Sequence, residues 1–301
     1  MKILVAGATG VVGREVVHLL KQRGHFVRTL SKDPERAERL RPRADELRVL
    51  DATVAGSVYG TCQGIDRVVS TLGAPVSPSG KGRRSFADVD LKANLNLLAE
   101  ARRAGVRRFV YVGVFTEPVY ARTAYVGAHA RVEQAIREAS LEYGLEYGLV
   151  RTTGVFGALA EMLPMALKGP VPVIGDGNAL TNPIDERDLA EAVLRALEAP
   201  GSTEVDIGGP EALSRRQIAE AAFIALGLRP RLLTMPVWLF AIVARIYGLF
   251  NRRMGEFLRF MQLVATHPCV APTPGTRRLL DHFRGRAKAL LAANGQDLPN
   301  Y

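Results

Sequence analysis

Cysteine is nearly absent. Cys62 and Cys269 are the two in 301 residues, too few for a disulfide framework or a cysteine-based zinc site. The five histidines are scattered, so no metal site is expected. No secretory leader is expected: MKILVAGATG breaks into glycine after four apolar residues and does not read as a signal peptide. A cytoplasmic, reducing location is therefore expected. The apolar stretch PVWLFAIVARIYGLF (236–250) falls short of the roughly 20 residues a bilayer span requires, and Arg245 interrupts it. It reads as a buried or interfacial helix, in the core or at a subunit contact, with peripheral membrane or lipophilic-ligand contact as the alternative. No transmembrane segment is expected. A G-x-S-x-G elbow, paired catalytic carboxylates, a Walker loop and internal repeats are all lacking, which sets aside hydrolases and kinases.

What is present is globular. Hydrophobic residues make up 48% and charged residues 23%, which excludes disordered, collagen-like and coiled-coil chains. The length suits one large α/β body or two tightly associated lobes. Forty Lys and Arg against thirty Asp and Glu give a formal charge of +10. These cations are spread in pairs such as Arg102-Arg103, Arg107-Arg108, Arg252-Arg253 and Arg277-Arg278. Without a basic run or interleaved aromatics they read as a solvated surface, and no nucleic-acid partner is expected.

Short apolar runs alternate with helical segments. Strands are expected at Ile3–Ala6, Phe26–Leu30, Leu47–Leu50, Val68–Leu72, Phe109–Val112 and Tyr147–Val150. Helices are expected from Val11 to Arg23, Asp88 to Ala104 and Ala124 to Ser140. This alternation implies right-handed crossovers and a doubly wound parallel sheet of the α/β class. The Pro-, Ser- and Gly-rich segment Pro75 to Ser85 reads as a mobile loop at the mouth of the site. Beyond Arg151 the pattern is irregular. Asp188 is expected to cap a helix running through Leu189 to Leu197, and Ser214-x-x-Gln217 forms a capping box for a helix ending near Gly227. Residues 1–155 are thus expected to form a dinucleotide-binding Rossmann domain, with 181–210 returning to it. Most of 156–301 is expected to form a smaller C-terminal lobe that binds substrate.

The strongest chemical signal is Gly7-Ala8-Thr9-Gly10-Val11-Val12-Gly13, which follows the first strand and opens the first helix. Gly7 permits the tight turn, Gly10 leaves room for a pyrophosphate, and Gly13 lets helix and strand pack closely. The helix N-terminus offers N–H groups to the phosphates. At the end of the second strand, Ser31 and Lys32, with Arg36 one turn on, suit a 2′-phosphate. NADP(H) is therefore the expected cofactor, and Asp33 keeps NAD open. Asp51, with Ala52 beside it, closes the third strand where the adenine would lie.

These features join others: GATGxxGxxV, VLDA (49–52), STLGAP (70–75), VDLKANLNLLAEARRAGVRRFVYV (89–112), the Tyr125 helix, LVRTTGVFG (149–157) and TNPIDERDLAEAV (181–193). Together they resemble the short-chain dehydrogenase/reductase superfamily over most of the chain. The likeness is greatest to its extended and atypical members: sugar-nucleotide epimerase-like proteins, isoflavone-reductase-like enzymes and NADP-sensing regulators. The resemblance implies that Thr71, Leu72 and Gly73 border the nicotinamide ribose. It also implies that Thr153, Gly154 and Val155 touch the nicotinamide end, and that Asn94 supports the backbone of the site. Asn182 reads as structural.

Family chemistry uses a Tyr and a Lys four apart on a helix, helped by a Ser on the preceding strand. Here Tyr125 stands at the Tyr position, His129 replaces the Lys, and the strand reads Val112-Gly113-Val114. Tyr125 and His129 are the candidate catalytic pair, a weaker acid/base couple sensitive to pH between 6 and 8. The expected function is hydride transfer to a carbonyl or activated double bond of a small apolar substrate. The alternative is a non-catalytic NADP(H) sensor or scaffold whose partner is a regulatory protein. A homodimer through the 236–250 helix is a further expectation.

Overall fold

The computed structural model describes residues 1–73 and 85–293. Apart from Ser85, the expected loop at 75–85 lies outside them.

Six parallel strands come first along the chain: β1 Lys2–Ala6, β2 Phe26–Ser31, β3 Glu46–Val49, β4 Arg67–Ser70, β5 Arg108–Val114 and β6 Glu146–Thr152. Six shorter or later strands follow: β7 Val171–Ile174, β8 Leu180–Thr181, β9 Thr203–Gly208, β10 Leu213–Ser214, β11 Leu232–Met235 and β12 Thr273–Pro274. The main sheet runs β3-β2-β1-β4-β5-β6-β9-β12 and is parallel at every pairing. The strand order reverses between β1 and β4, which opens a crevice at their carboxyl ends where ligands of doubly wound sheets bind.

The helices of the first part are α1 Val11–Gln22, α2 Pro34–Glu38, α3 Ala55–Val58, α4 Lys92–Arg103 and α5 Ala124–Tyr143. Those that follow are α6 Phe156–Leu159, α7 Met162–Lys168, α8 Glu186–Glu198, α9 Arg215–Ala225, α10 Val237–Phe250, α11 Arg252–Thr266 and α12 Leu279–Ala293. Helices α1 and α8 cover one sheet face through Val16, Val17, Leu20, Leu189, Val193 and Leu197. Helices α4 and α5 cover the other through Leu97, Leu98, Val132 and Ile136. Because both faces are covered, β1, β4 and β5 read as unbroken apolar runs. A separate core joins β7 to α6, α7, α9 and α12 through Phe156, Leu163, Val171, Phe223 and Phe283.

Three local expectations are corrected. The helix after Ile184 is capped by Asp185, whose carboxylate accepts from the Arg187 N–H at 2.8 Å. Asp188 instead accepts the backbone N–H groups of Thr276 and Arg277 at 2.7 and 2.8 Å. The expected Asp88–Ala104 helix opens as a π-turn over Ala87–Leu91 before α4 begins. The 236–250 segment is helical but is not part of the core: Ala244 is the one buried residue of α10.

Candidate functional site

The glycine turn is shaped by its neighbours. Gly7 sits at φ +79°, and a Cβ there would lie 2.6 Å from the Thr71 carbonyl oxygen. A Cβ on Gly13 would run into the Gly7 carbonyl. The Gly10 N–H donates to that carbonyl at 2.9 Å, closing the turn. Gly10 is the N-cap of α1 and brings no side chain to it, and no acidic residue lies in the first turn. The first intrahelical bond comes from Arg14 N–H to Gly10 O at 3.1 Å, so the N–H groups of Val11, Val12 and Gly13 stay free for an anion. Ala8 is fully buried and serves through its backbone, while Thr9 is half-buried. These features are the cradle a dinucleotide pyrophosphate needs, and the site fits that cofactor.

The β4 exit is locked beside this turn. Thr71 donates to Ala6 O from its N–H at 2.9 Å and from its hydroxyl at 3.1 Å. Fully buried Asn94 accepts from the Ser70 hydroxyl at 2.5 Å and donates to Leu72 O at 3.4 Å and Asp90 O at 2.7 Å. Asn94 therefore holds the Thr71–Gly73 backbone in place. Across the crevice, Thr153 donates to Asn182 O at 2.6 Å, and Ile184 N–H donates to Gly154 O at 2.8 Å. A bridge between Val155 and Ile184 completes that edge. Asn182 bonds Ala271 in both directions, which is a structural role.

At the end of β2 the groups divide. The Ser31 hydroxyl donates to Asp33 O at 3.1 Å and accepts the Asp33 N–H at 3.2 Å. Asp33 caps α2 by accepting from Arg36 N–H at 3.1 Å and meets the Arg36 guanidinium at 3.3 Å. Ser31, Asp33 and Arg36 are thus engaged with one another. Lys32 is exposed and has no ion-pair partner among the described residues. Leu50 N–H donates to Ser31 O at 2.8 Å, bringing the Asp51–Ala52 segment alongside. Asp51 accepts the Thr53 N–H at 2.9 Å, and Ala52 O accepts from the Asn96 side chain at 2.9 Å.

Tyr125 and His129 occupy successive turns of α5, which Thr123 caps. The Tyr125 ring stands 4.8 Å from Phe86, 4.8 Å from His129, 4.9 Å from Phe260 and 6.1 Å from Phe257, between ring centroids. Burial, with the Asp90 charge in second place, pushes its phenol well above the ordinary tyrosine range. His129 shares a 2.6 Å hydrogen bond with Tyr111 through Nδ1, and its Nε2 is buried with no hydrogen-bond partner among the described residues. Burial lowers its pKa to about 4. This corrects the expected titration between pH 6 and 8: His129 is neutral throughout that range and cannot act as the missing lysine's cation.

Gly113 has an equally physical cause. A Cβ there would lie 2.8 Å from Glu133 Oε1. Glu133 is held by Arg151 at 3.0 Å, and Arg151 also meets Glu204 at 2.9 Å and Asp206 at 2.6 Å. Sequence reasoning missed this ion cluster, the Tyr111–His129 bond and the two α11 rings. The four-residue spacing of Tyr125, His129 and Glu133 along one helix face was the available signal.

Among the described residues, Asp185, Glu186 and His282 could hold a metal ion. His282 Nδ1 lies 3.3 Å from Asp185, and the pair ties α12 to the N-cap of α8.

The fold and this crevice define an NAD(P)-binding Rossmann protein of the extended short-chain dehydrogenase/reductase kind. Residues 3–208 match the model of the NAD dependent epimerase/dehydratase family, and the chain belongs to that family. It is 30% identical over 269 residues to a chloroplastic divinyl chlorophyllide a 8-vinyl-reductase of Oryza sativa subsp. indica, covering 81% of this chain. The chain spans 65% of that reductase's length. It is 23% identical over 270 residues to the photosystem II assembly factor Ycf39 of Guillardia theta, covering 88% of this chain and 83% of that protein. A solved UDP-glucose 4-epimerase of Thermotoga maritima, with UDP-glucose, superposes with a TM-score of 0.76 at 17% identity. The match covers 98% of this chain and all of that one, and it shows the fold alone.

Proposed function

We propose that the protein is an NADP(H)-dependent reductase delivering hydride to a carbonyl or activated double bond of a small apolar molecule. Lys32 carries the cofactor half of this reading. It is an exposed cation with no ion-pair partner among the described residues, beside Asp33, whose carboxylate is spent capping α2. A 2′-phosphate would meet a free charge there, whereas a 2′-hydroxyl would need the carboxylate. NAD stays the alternative cofactor through Asp33 alone.

When bound, a reduced nicotinamide supplies the hydride. The chain's own groups bind and orient: Val11, Val12 and Gly13 N–H at the pyrophosphate, and Thr71–Gly73 and Thr153–Val155 along the nicotinamide end. Tyr125 remains a neutral phenol at physiological pH. It can donate a proton or hydrogen bond to a substrate that is gaining hydride, and it is a poor base for taking one from an alcohol. The aromatic surround of Tyr125 suits an apolar substrate, and the rice relative's name, a vinyl reductase, is in line with this class. Cys62 and Cys269, both buried and free, suit a reducing compartment such as the cytoplasm.

A second reading is an NADP(H)-sensing or scaffold protein that works through a partner protein. It is favoured by Phe257 and Phe260, which already cover the Tyr125 ring, and by the assembly-factor relative.

The test begins with calorimetric titration of all four nicotinamide dinucleotides on the wild type and Lys32→Glu. NADPH is expected to bind in preference, and the substitution is expected to weaken it at least about tenfold, roughly 1.4 kcal/mol. NADPH oxidation is then followed over a panel of apolar ketones and conjugated enones, with Tyr125→Phe as control. Turnover reduced in the control supports the reductase. NADPH binding without turnover supports the sensor, and absence of dinucleotide binding overturns both.

A further inference from the structure

Helix α10 is built almost entirely of apolar residues yet lies outside every core. Trp238 is 66% exposed, Leu249 79% and Phe250 81%, and Ile242 and Ile246 are exposed beside them. At about 100° per residue, these five side chains fall within an arc of roughly 120°. The opposite side carries Ala244 and Gly248 and packs on α11, where Gly248 and Gly255 meet backbone to backbone. The small residues fix α10 firmly on its neighbour, so its apolar face is held outward as a rigid surface. A patch of this kind on a water-soluble surface marks an interaction site.

Charge identifies what covers it. Arg245 lies just beyond one edge of the apolar arc, and Arg252 and Arg253 open α11 one residue past the end of α10. Arg245 and Arg253 have no acidic partner among the described residues, and Arg252 pairs with Glu256 at 3.1 Å. No Asp or Glu occurs in α10 itself. A second copy of this chain on the same face would oppose arginine to arginine with no acid to answer it. An anionic lipid surface answers both features, taking the apolar side chains among its acyl chains and the guanidinium groups among its phosphates. Fourteen residues make a helix about 21 Å long, shorter than the roughly 30 Å hydrocarbon core, so the helix would lie in the plane of the membrane. No helix among the described residues is long and apolar enough to cross one.

We propose that α10 docks this protein on anionic membranes as an in-plane anchor, with Trp238, Leu249 and Phe250 inserted and Arg245 and Arg253 at the headgroups.

The chain has a single tryptophan, so Trp238 fluorescence reports the event directly. The protein is mixed with phosphatidylcholine–phosphatidylglycerol vesicles and, separately, with pure phosphatidylcholine vesicles, and flotation is measured alongside emission. Binding to the mixed vesicles with a blue shift, weakened by salt, is expected. Leu249→Ser with Phe250→Ser should abolish flotation while the thermal transition stays in place, because both side chains are in solvent. Arg245→Gln should weaken it about fivefold. No flotation with mixed vesicles overturns the proposal. So does equal binding by the Leu249/Phe250 variant, or a dimer by sedimentation in which Trp238 is already shielded and vesicles cause no change.

Discussion

At the scale of single residues the site is governed by what burial does to titratable groups. His129 ordinarily titrates near 6.5 and here near 4, with burial as the cause. Between those values the unfolded chain binds the proton and the folded one does not, so stability is complete above pH 6.5 and falls as pH drops toward 4. The loss over that window should be about 3 kcal/mol. The variant His129→Gln keeps a hydrogen-bonding partner for Tyr111 and does not titrate, so urea unfolding from pH 7 to pH 4 should show a smaller loss than in the wild type. By the same reasoning His129→Lys does not restore a family catalytic pair. It places a cation in a buried pocket where the carboxylate one turn on, Glu133, is already committed to Arg151 at 3.0 Å, and unfolding should be easier by several kcal/mol. The glycines were legible in the sequence because backbone geometry at Gly7 and Gly13 excludes a Cβ. The neutrality of His129 was not, because it arises from burial, with Tyr111 of β5 against its ring, and burial is a tertiary property.

At the scale of elements, α5, β6 and β9 are joined by charge beside Gly113 of β5, where the family pattern has a hydroxyl. Glu204 is held down to about 2, through its hydrogen bond to Arg137 first, with Arg151 adding to it. Glu133 is pushed upward by burial, and Arg151 opposes that push. Gly113 is the gap that lets the Glu133 carboxylate approach β5. Gly113→Ser, which would recreate the family residue, should therefore destabilise the protein by about 1–3 kcal/mol through overpacking and give no gain in NADPH oxidation. Thermal unfolding and the enone assay, run on the same preparation, check both halves. Sequence patterning located every strand from β1 to β6 within a few residues, since runs covered on both sides are continuously apolar. It placed the cap of the Leu189–Leu197 helix at Asp188, whereas Asp185 caps α8 and the distant Thr276–Arg277 backbone takes the Asp188 carboxylate.

At the scale of the whole molecule, α8 is where the Rossmann sheet and the later core meet. Its inner face packs on α1 through Leu189 and Val193. Its first turn receives the segment that leads into α12: Asp188 accepts the Thr276 N–H at 2.7 Å, the Arg277 N–H at 2.8 Å and the Thr276 hydroxyl at 3.0 Å, and also pairs with the Arg277 guanidinium. Asp185 reaches His282 of α12 at 3.3 Å. Strand β12 adds to β9 at the sheet edge through two residue pairs, and the carboxylate of Asp188 is a polar stitch between α8 and the segment that enters the later core. Its removal in Asp188→Ala leaves the Thr276 and Arg277 N–H groups without their acceptor, while the Arg277 guanidinium keeps Glu191 at 3.2 Å, a loss of about 2–4 kcal/mol. The glycine cradle lies on the Rossmann side of that stitch. In the wild type, NADPH at a hundredfold excess over its dissociation constant should add about 2.7 kcal/mol to the whole transition. In Asp188→Ala, scanning calorimetry should resolve two transitions, with NADPH raising the one that belongs to the Rossmann sheet and leaving the other in place. A single transition that still moves as one with NADPH would mean that β9, β12 and the His282 pair couple the cores without Asp188.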